Sequence, residues 1–126
     1  MKIGTAPHRK GGIKMKTINI LDAPVHENPH GIDARKVYDT QHAQAVVITL
    51  EPGQQLKRHI TPVDAIFFVL EGRGIVEVGD EKEEVGPNTL IDSPAKIPHC
   101  WYNEGDSTLR VLVIKVPRQE EPSKML

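Results

Sequence analysis

The stretch GPNTLIDSPAKIPHCWYN, residues 86–103, decides the reading of this chain. Pro94 and Pro98 lead into His99, and Asn103 follows with three residues between. Read as a strand from His99 onward, its period of two puts His99, Trp101 and Asn103 on one face, with Cys100 and Tyr102 on the other. His99 and Cys100 therefore point apart and form no catalytic pair. Cys100 is expected to be buried or half-buried and inert. A second segment, GQQLKRHITPVDAIFFVLEGRG at residues 53–74, carries a further histidine, His59, ahead of an apolar run.

The same texture extends outward in both directions. Ala45–Leu50 (AVVITL) reads as a strand ended by Glu51-Pro52-Gly53, and Ala65–Leu70 (AIFFVL) as one ended by Glu71-Gly72. Gly74–Val78 and Glu83–Val85 flank Gly79-Asp80-Glu81, which reads as a hairpin. Thr89–Ile91 and Leu109–Val116 complete the set. Short strands with turn signals at close spacing predict a sandwich or barrel. No stretch has a convincing amphipathic helix period, and Asp33–Tyr38 has room for a helical turn or two at most. Residues 17–44 contain His26, His30 and His42 without regular ligand spacing, so they read as loop histidines, with His30 or His42 the alternative source of a third site histidine. No internal repeat is visible, which predicts one barrel.

Composition narrows the function classes. The chain has 126 residues, enough for one domain with a real core. Lys and Arg total 16 against 17 Asp and Glu, a net charge of −1, so no basic excess points to nucleic acid or to an anionic membrane. No apolar run approaches the length of a membrane span. The single cysteine, Cys100, excludes an internal disulfide and a cysteine-rich zinc site. These features and the absence of a signal-peptide pattern in MKIGTAPHRKGGIK predict a cytoplasmic protein. Residues 1–16 are expected to be a disordered lead-in, with Met15 as an alternative start. Residues 17–117 are expected to form the barrel, and 118–126 a flexible tail.

The two quoted segments resemble the paired motifs of the cupin superfamily, over about residues 45–116. The first family motif runs Gly, five residues, His, one residue, His, three or four residues, Glu, six residues, Gly. Gly53, His59 and Gly72 match it; Thr61 stands at the second His, and Ala65 at the Glu. The second motif runs Gly, five residues, Pro, one residue, Gly, two residues, His, three residues, Asn. Pro94, His99 and Asn103 match, while Asn88 and Lys96 occupy the two Gly positions. The resemblance implies an all-β, single-domain jelly-roll barrel. It also implies a divalent metal (Fe, Mn, Ni, Zn or Cu) held by histidines and a carboxylate, with positions open to substrate.

Of that ligand set only His59 and His99 are present at matching positions. Asp64 is the third candidate. Strand parity turns it outward if Ala65 faces in; a one-residue bulge near Pro62 would turn it inward, giving two histidines and a carboxylate. Otherwise Asp64 is a turn residue capping local backbone donors. Thr61, Phe67, Trp101 and Asn103 are the expected lining of a small-molecule pocket, and Phe67 and Trp101 serve equally as core. Arg35 and Lys57-Arg58 offer cations for a substrate carboxylate if they stand at the barrel mouth. The leading function is a small-molecule-binding barrel, with or without a metal on its two histidines. The alternatives are a metal-dependent enzyme of dioxygenase, isomerase or decarboxylase type and a mainly structural or interaction role, marked by a pocket filled by its own side chains. A homodimer is expected, because short barrels expose sheet edges.

Overall fold

The computed structural model describes residues 12–126, and the portion of the expected lead-in over residues 1–11 lies outside them. Residues 12–16 have no regular secondary structure, with Ile13 and Met15 exposed. A 3-10 turn at Ile20–Asp22 follows. Ten strands come next: β1 (Asp33–Asp39), β2 (Gln44–Leu50), β3 (Gln55–Ile60), β4 (Asp64–Glu71), β5 (Gly74–Val78), β6 (Glu81–Val85), β7 (Leu90–Ser93), β8 (His99–Tyr102), β9 (Leu109–Val116) and β10 (Lys124–Met125).

They form two antiparallel five-stranded sheets, ordered β1-β2-β9-β4-β7 and β10-β3-β8-β5-β6. Non-sequential neighbours such as β2 beside β9 and β3 beside β8 give the jelly-roll topology. Alternation accounts for the core between the sheets. Ala65, Phe67 and Val69 point in from β4, Leu109, Val111 and Val113 from β9, and Val46, Ile48 and Leu50 from β2. Trp101 on β8 is completely buried among them.

Three segments differ from the sequence expectation. Asp33–Tyr38 is not helical; it lies in β1, an outer strand paired with β2. Pairing with β2, the next strand along the chain, overrides the local preference, and Ala34 fills an inward position. The hairpin turn is shorter than expected, because β6 begins at Glu81 and leaves only Gly79-Asp80 between the strands. The tail, polar in composition, carries β10, which pairs with β3 through Lys124↔Ile60 and Met125↔His59.

Candidate functional site

A cavity of about 310 Å³ opens between the sheets at the β1/β10 end. Its walls are largely apolar: Ile32, Val46, Ile48, Leu56, Phe67 and Val113. Its polar residues include His30, His59, Thr61, His99 and Lys115. The volume sits at the small end of the range typical of small-molecule sites.

A bulge delivers His59 to this cavity. Leu56 pairs with Trp101 and His59 with His99, so three steps along β3 oppose two along β8. The extra residue lets Leu56 and His59 both face inward, which unbroken alternation forbids. The Pro94–Pro98 turn delivers His99: the Lys96 N–H donates to the Thr61 carbonyl at 2.9 Å, tying the turn to the end of β3. Both histidines are buried, His59 at 6 % exposure and His99 at 2 %.

The hydrogen bonds fix the tautomers of the pair. His59 Nδ1 lies 2.6 Å from the Lys57 carbonyl, which only accepts, so neutral His59 carries its proton there and leaves Nε2 as a lone pair. His99 Nε2 is 3.0 Å from that lone pair and therefore donates to it. Thr61 Oγ1, also 3.0 Å from His99 Nε2, flanks the same N–H. His99 Nδ1 then accepts from the Ser93 hydroxyl at 2.6 Å. Phe67 stands edge-on to the His99 ring, with centroids 5.1 Å apart.

His30 joins this pair. Its ring lies 4.8 Å from that of His59, and its Nδ1 accepts the Lys57 backbone N–H at 2.8 Å. Neutral His30 thus presents Nε2–H, a donor. All three imidazoles are held neutral. Burial lowers His59, partly offset by its bond to the Lys57 carbonyl. Burial first, then the His59, Lys115 and His30 charges, lowers His99 to about 3. Burial, then the His59, Lys57 and Lys115 charges, lowers His30 to about 4.

The remaining candidates sort plainly. Thr61 and Phe67 line the cavity. Trp101 does not: it packs in the core against Phe67, 5.5 Å between ring centroids, and its indole N–H has no partner among the described residues. Asn103 also lies elsewhere. Its Nδ2 donates to the Leu50 and Ser107 carbonyls and its Oδ1 accepts from the Gly105 N–H, so it staples the β8–β9 loop. Asp64 is exposed and accepts the Ala95 N–H at 2.8 Å, while Ala65, 1 % exposed, takes the inward position. No bulge intervenes at Pro62; Asp64 to Val69 pair with β9 in unbroken register, so parity turns the carboxylate out. Arg35 bonds Asp33 and the Leu21 and Ala23 carbonyls, and Arg58 pairs with Glu77, so neither supplies a cation to the cavity. Cys100 contacts Glu77 and Tyr102 away from His99, and burial pushes its thiol up.

The cavity cation is Lys115, which sequence reasoning missed. The signal was available in β9: Leu109, Val111 and Val113 share the inward parity, and Lys115 is the next position in that series.

The metal question turns on donor count. If the His99 proton moves to Nδ1, where Ser93 can accept it, both Nε2 atoms become lone pairs 3.0 Å apart. Two imidazoles are half of the set the motifs imply. Thr61 is a weak neutral ligand, Ala65 has no donor, and His30 presents an N–H. No group of three or more His, Cys, Asp or Glu side chains suited to a metal occurs among the described residues. The residues do not fit an ion held by the protein alone.

Comparison with known proteins places the chain. Residues 46–115, more than half of it, match the Cupin domain family. It is 37 % identical over 62 residues to an uncharacterized protein, MJ1618, of Methanocaldococcus jannaschii, covering 49 % of each chain. It is 31 % identical over 65 residues to a 5-nitrosalicylic acid 1,2-dioxygenase of Bradyrhizobium sp, covering 52 % of this chain and 31 % of that one. The chain thus spans about half the length of the first curated relative and a third of the second. Among solved structures, TT1209 from Thermus thermophilus superposes with a TM-score of 0.72 at 28 % identity, covering 82 % of this chain and 99 % of that one. With its two motifs on β3–β4 and β7–β8 of a two-sheet jelly roll, this chain belongs to the cupin family.

Proposed function

We propose that this cupin binds a small molecule in the cavity between its sheets, with the His59/His99 pair as the polar end. One observation carries the reading: two buried, neutral imidazoles hydrogen-bonded to each other at 3.0 Å in an otherwise largely apolar cavity. A donor–acceptor pair at the end of an apolar pocket orients a ligand while the walls supply affinity. The chain's own residues bind, orient and shed water from the ligand. The His pair can also take up or release one proton at Nε2, the minimum for acid–base work.

A second reading is a metal-dependent small-molecule enzyme. It is favoured by the convergence of the two Nε2 atoms and by the likeness to a dioxygenase. Because the protein supplies two donors, a divalent ion here (Fe, Mn, Ni, Zn or Cu) requires further donors from a bound chelating molecule.

Elemental analysis of chelator-free protein, beside a thermal-shift screen of small metabolites on wild type and His59→Ala/His99→Ala, separates the two. Ligands that raise the wild-type Tm but not that of the double variant, without metal, support the binding reading. Near-stoichiometric metal lost in the double variant supports the metalloenzyme. Neither metal nor any ligand response overturns both. We also propose a homodimer, since each sheet ends on strands with unpaired edges: β1 and β7 in one, β10 and β6 in the other. A monomer in size-exclusion chromatography with light scattering at micromolar concentration would exclude it.

A further inference from the structure

We propose that the cavity selects small organic carboxylates with an apolar body, and that Lys115 is the residue that binds the carboxylate; the inference rests on the cavity being a ligand site.

Lys115 lies on β9, paired with Gln44 of β2 and Ala65 of β4, in the middle of its sheet. The strand parity that buries Val111 and Val113 aims its side chain into the cavity. Among the described residues its ammonium makes no ion pair or hydrogen bond, whereas Arg35, Lys36, Arg58, Arg73, Arg110 and Arg118 pair with carboxylates. Among the described residues the sole acidic one lining the cavity is Glu27, which is exposed and does not pair with it. Burial lowers the lysine from its ordinary value, with the nearby Lys36 charge adding to the effect.

A half-buried, unpaired ammonium facing a largely apolar cavity is a cost to the fold. A bound anion removes that cost, and the charge bias of the cavity points the same way. The neutral tautomer of His30 contributes an Nε2–H and no negative charge, while the His99 N–H is already engaged with His59. One cation with the His30 N–H matches a monoanionic head, and Ile32, Val46, Ile48 and Val113 match an apolar body. A cationic ligand would meet an uncompensated like charge.

The test is calorimetric titration of the full chain at pH 7 with benzoate, cyclohexanecarboxylate and hexanoate, each beside its primary amide. Wild type is expected to bind at least one acid ten-fold or more tightly than its amide. Lys115→Met and Lys115→Gln should bind that acid and amide about equally, with amide affinity unchanged. Two variants are used so that a folding defect in one, seen by its thermal transition, does not decide the result. Equal binding of acids and amides by wild type, or an acid preference that survives in a folded variant, overturns the role of Lys115 and leaves the ligand pocket standing. No binding of any acid or amide by wild type up to millimolar concentration overturns the carboxylate selectivity. If the metabolite screen is also silent, the pocket reading falls with it.

Discussion

Asn88 and Lys96 both adopt φ of 68°, the left-handed conformation, at the two positions where the family motif has glycine. The geometry of the motif is retained although the residue that most easily supplies it is absent. Asn tolerates this region, because its short side chain bonds locally, but Lys does not. At Lys96 the strain is held in place by the bond from its N–H to the Thr61 carbonyl and that of Ile97 to Pro94, which set the approach to His99. Relief of left-handed strain, about 1–2 kcal/mol, is partly offset by the greater freedom of glycine in the unfolded chain. Lys96→Gly should therefore stabilise by about 1 kcal/mol, raising Tm by roughly 4 °C. A thermal melt with an unchanged or lower midpoint would contradict it.

The elements that shape the cavity are irregular ones. The β3 bulge aims His59 inward, and the tail strand β10 lays Met125 across the cavity beside β3. The tail is anchored where it leaves β9. Arg118 bonds both carboxylate oxygens of Asp39 on β1, at 2.7 and 3.3 Å, and the Gln119 N–H donates to Gln44. The Arg118 bond is the main reason Asp39 is lowered to about 2; burial opposes it, and Gln44 and Lys36 add smaller shares in the same direction as Arg118. A carboxylate lowered by folding stabilises the fold above its ordinary value near 3.8, and that contribution is lost as pH falls through about 2. By carboxyl-carbon NMR, Asp39 should titrate near 2 in wild type and move up toward 3.8 in Arg118→Ala. An unmoved midpoint would mean that the guanidinium does not hold the tail to β1 in solution.

At the scale of the whole molecule, the buried imidazoles make folding sensitive to acid. His30 and His99 sit near 4 and 3, and His59 is also lowered, against 6.5 for the unfolded chain. Between those folded values and 6.5 the unfolded chain binds more protons, so stability rises with pH there and falls on acidification. Tm should therefore hold above pH 7 and decline from about pH 6.5 toward 4.5, before most carboxylates titrate. His30→Gln/His99→Gln should flatten that decline. A wild-type Tm that stays level from pH 7 to 4.5 would show that the three rings are hydrated and not buried.

What the sequence determined by itself is what local period and punctuation encode. Runs of β-branched residues between glycine and proline named most strands, and two motifs named the cupin barrel. Parity from His99 predicted that Trp101 faces in and Cys100 away. Parity also favoured an outward Asp64, and the same rule applied from Leu109 would have shown Lys115. The structure decided whatever depends on pairing with another segment, near or far along the chain. Asp33–Asp39 is a strand because β2 lies beside it. His30, 27 residues before Lys57, meets His59 because the turn before β1 reaches β3 at the cavity. Parity puts Trp101 and Asn103 on the face of His99 but not in the cavity, because depth along a strand separates pocket, core and loop. The bulge that turns His59 inward has no local marker, since it exists only as a mismatch of count between β3 and β8. Periodicity is written in one strand; register, and with it the site, belongs to two.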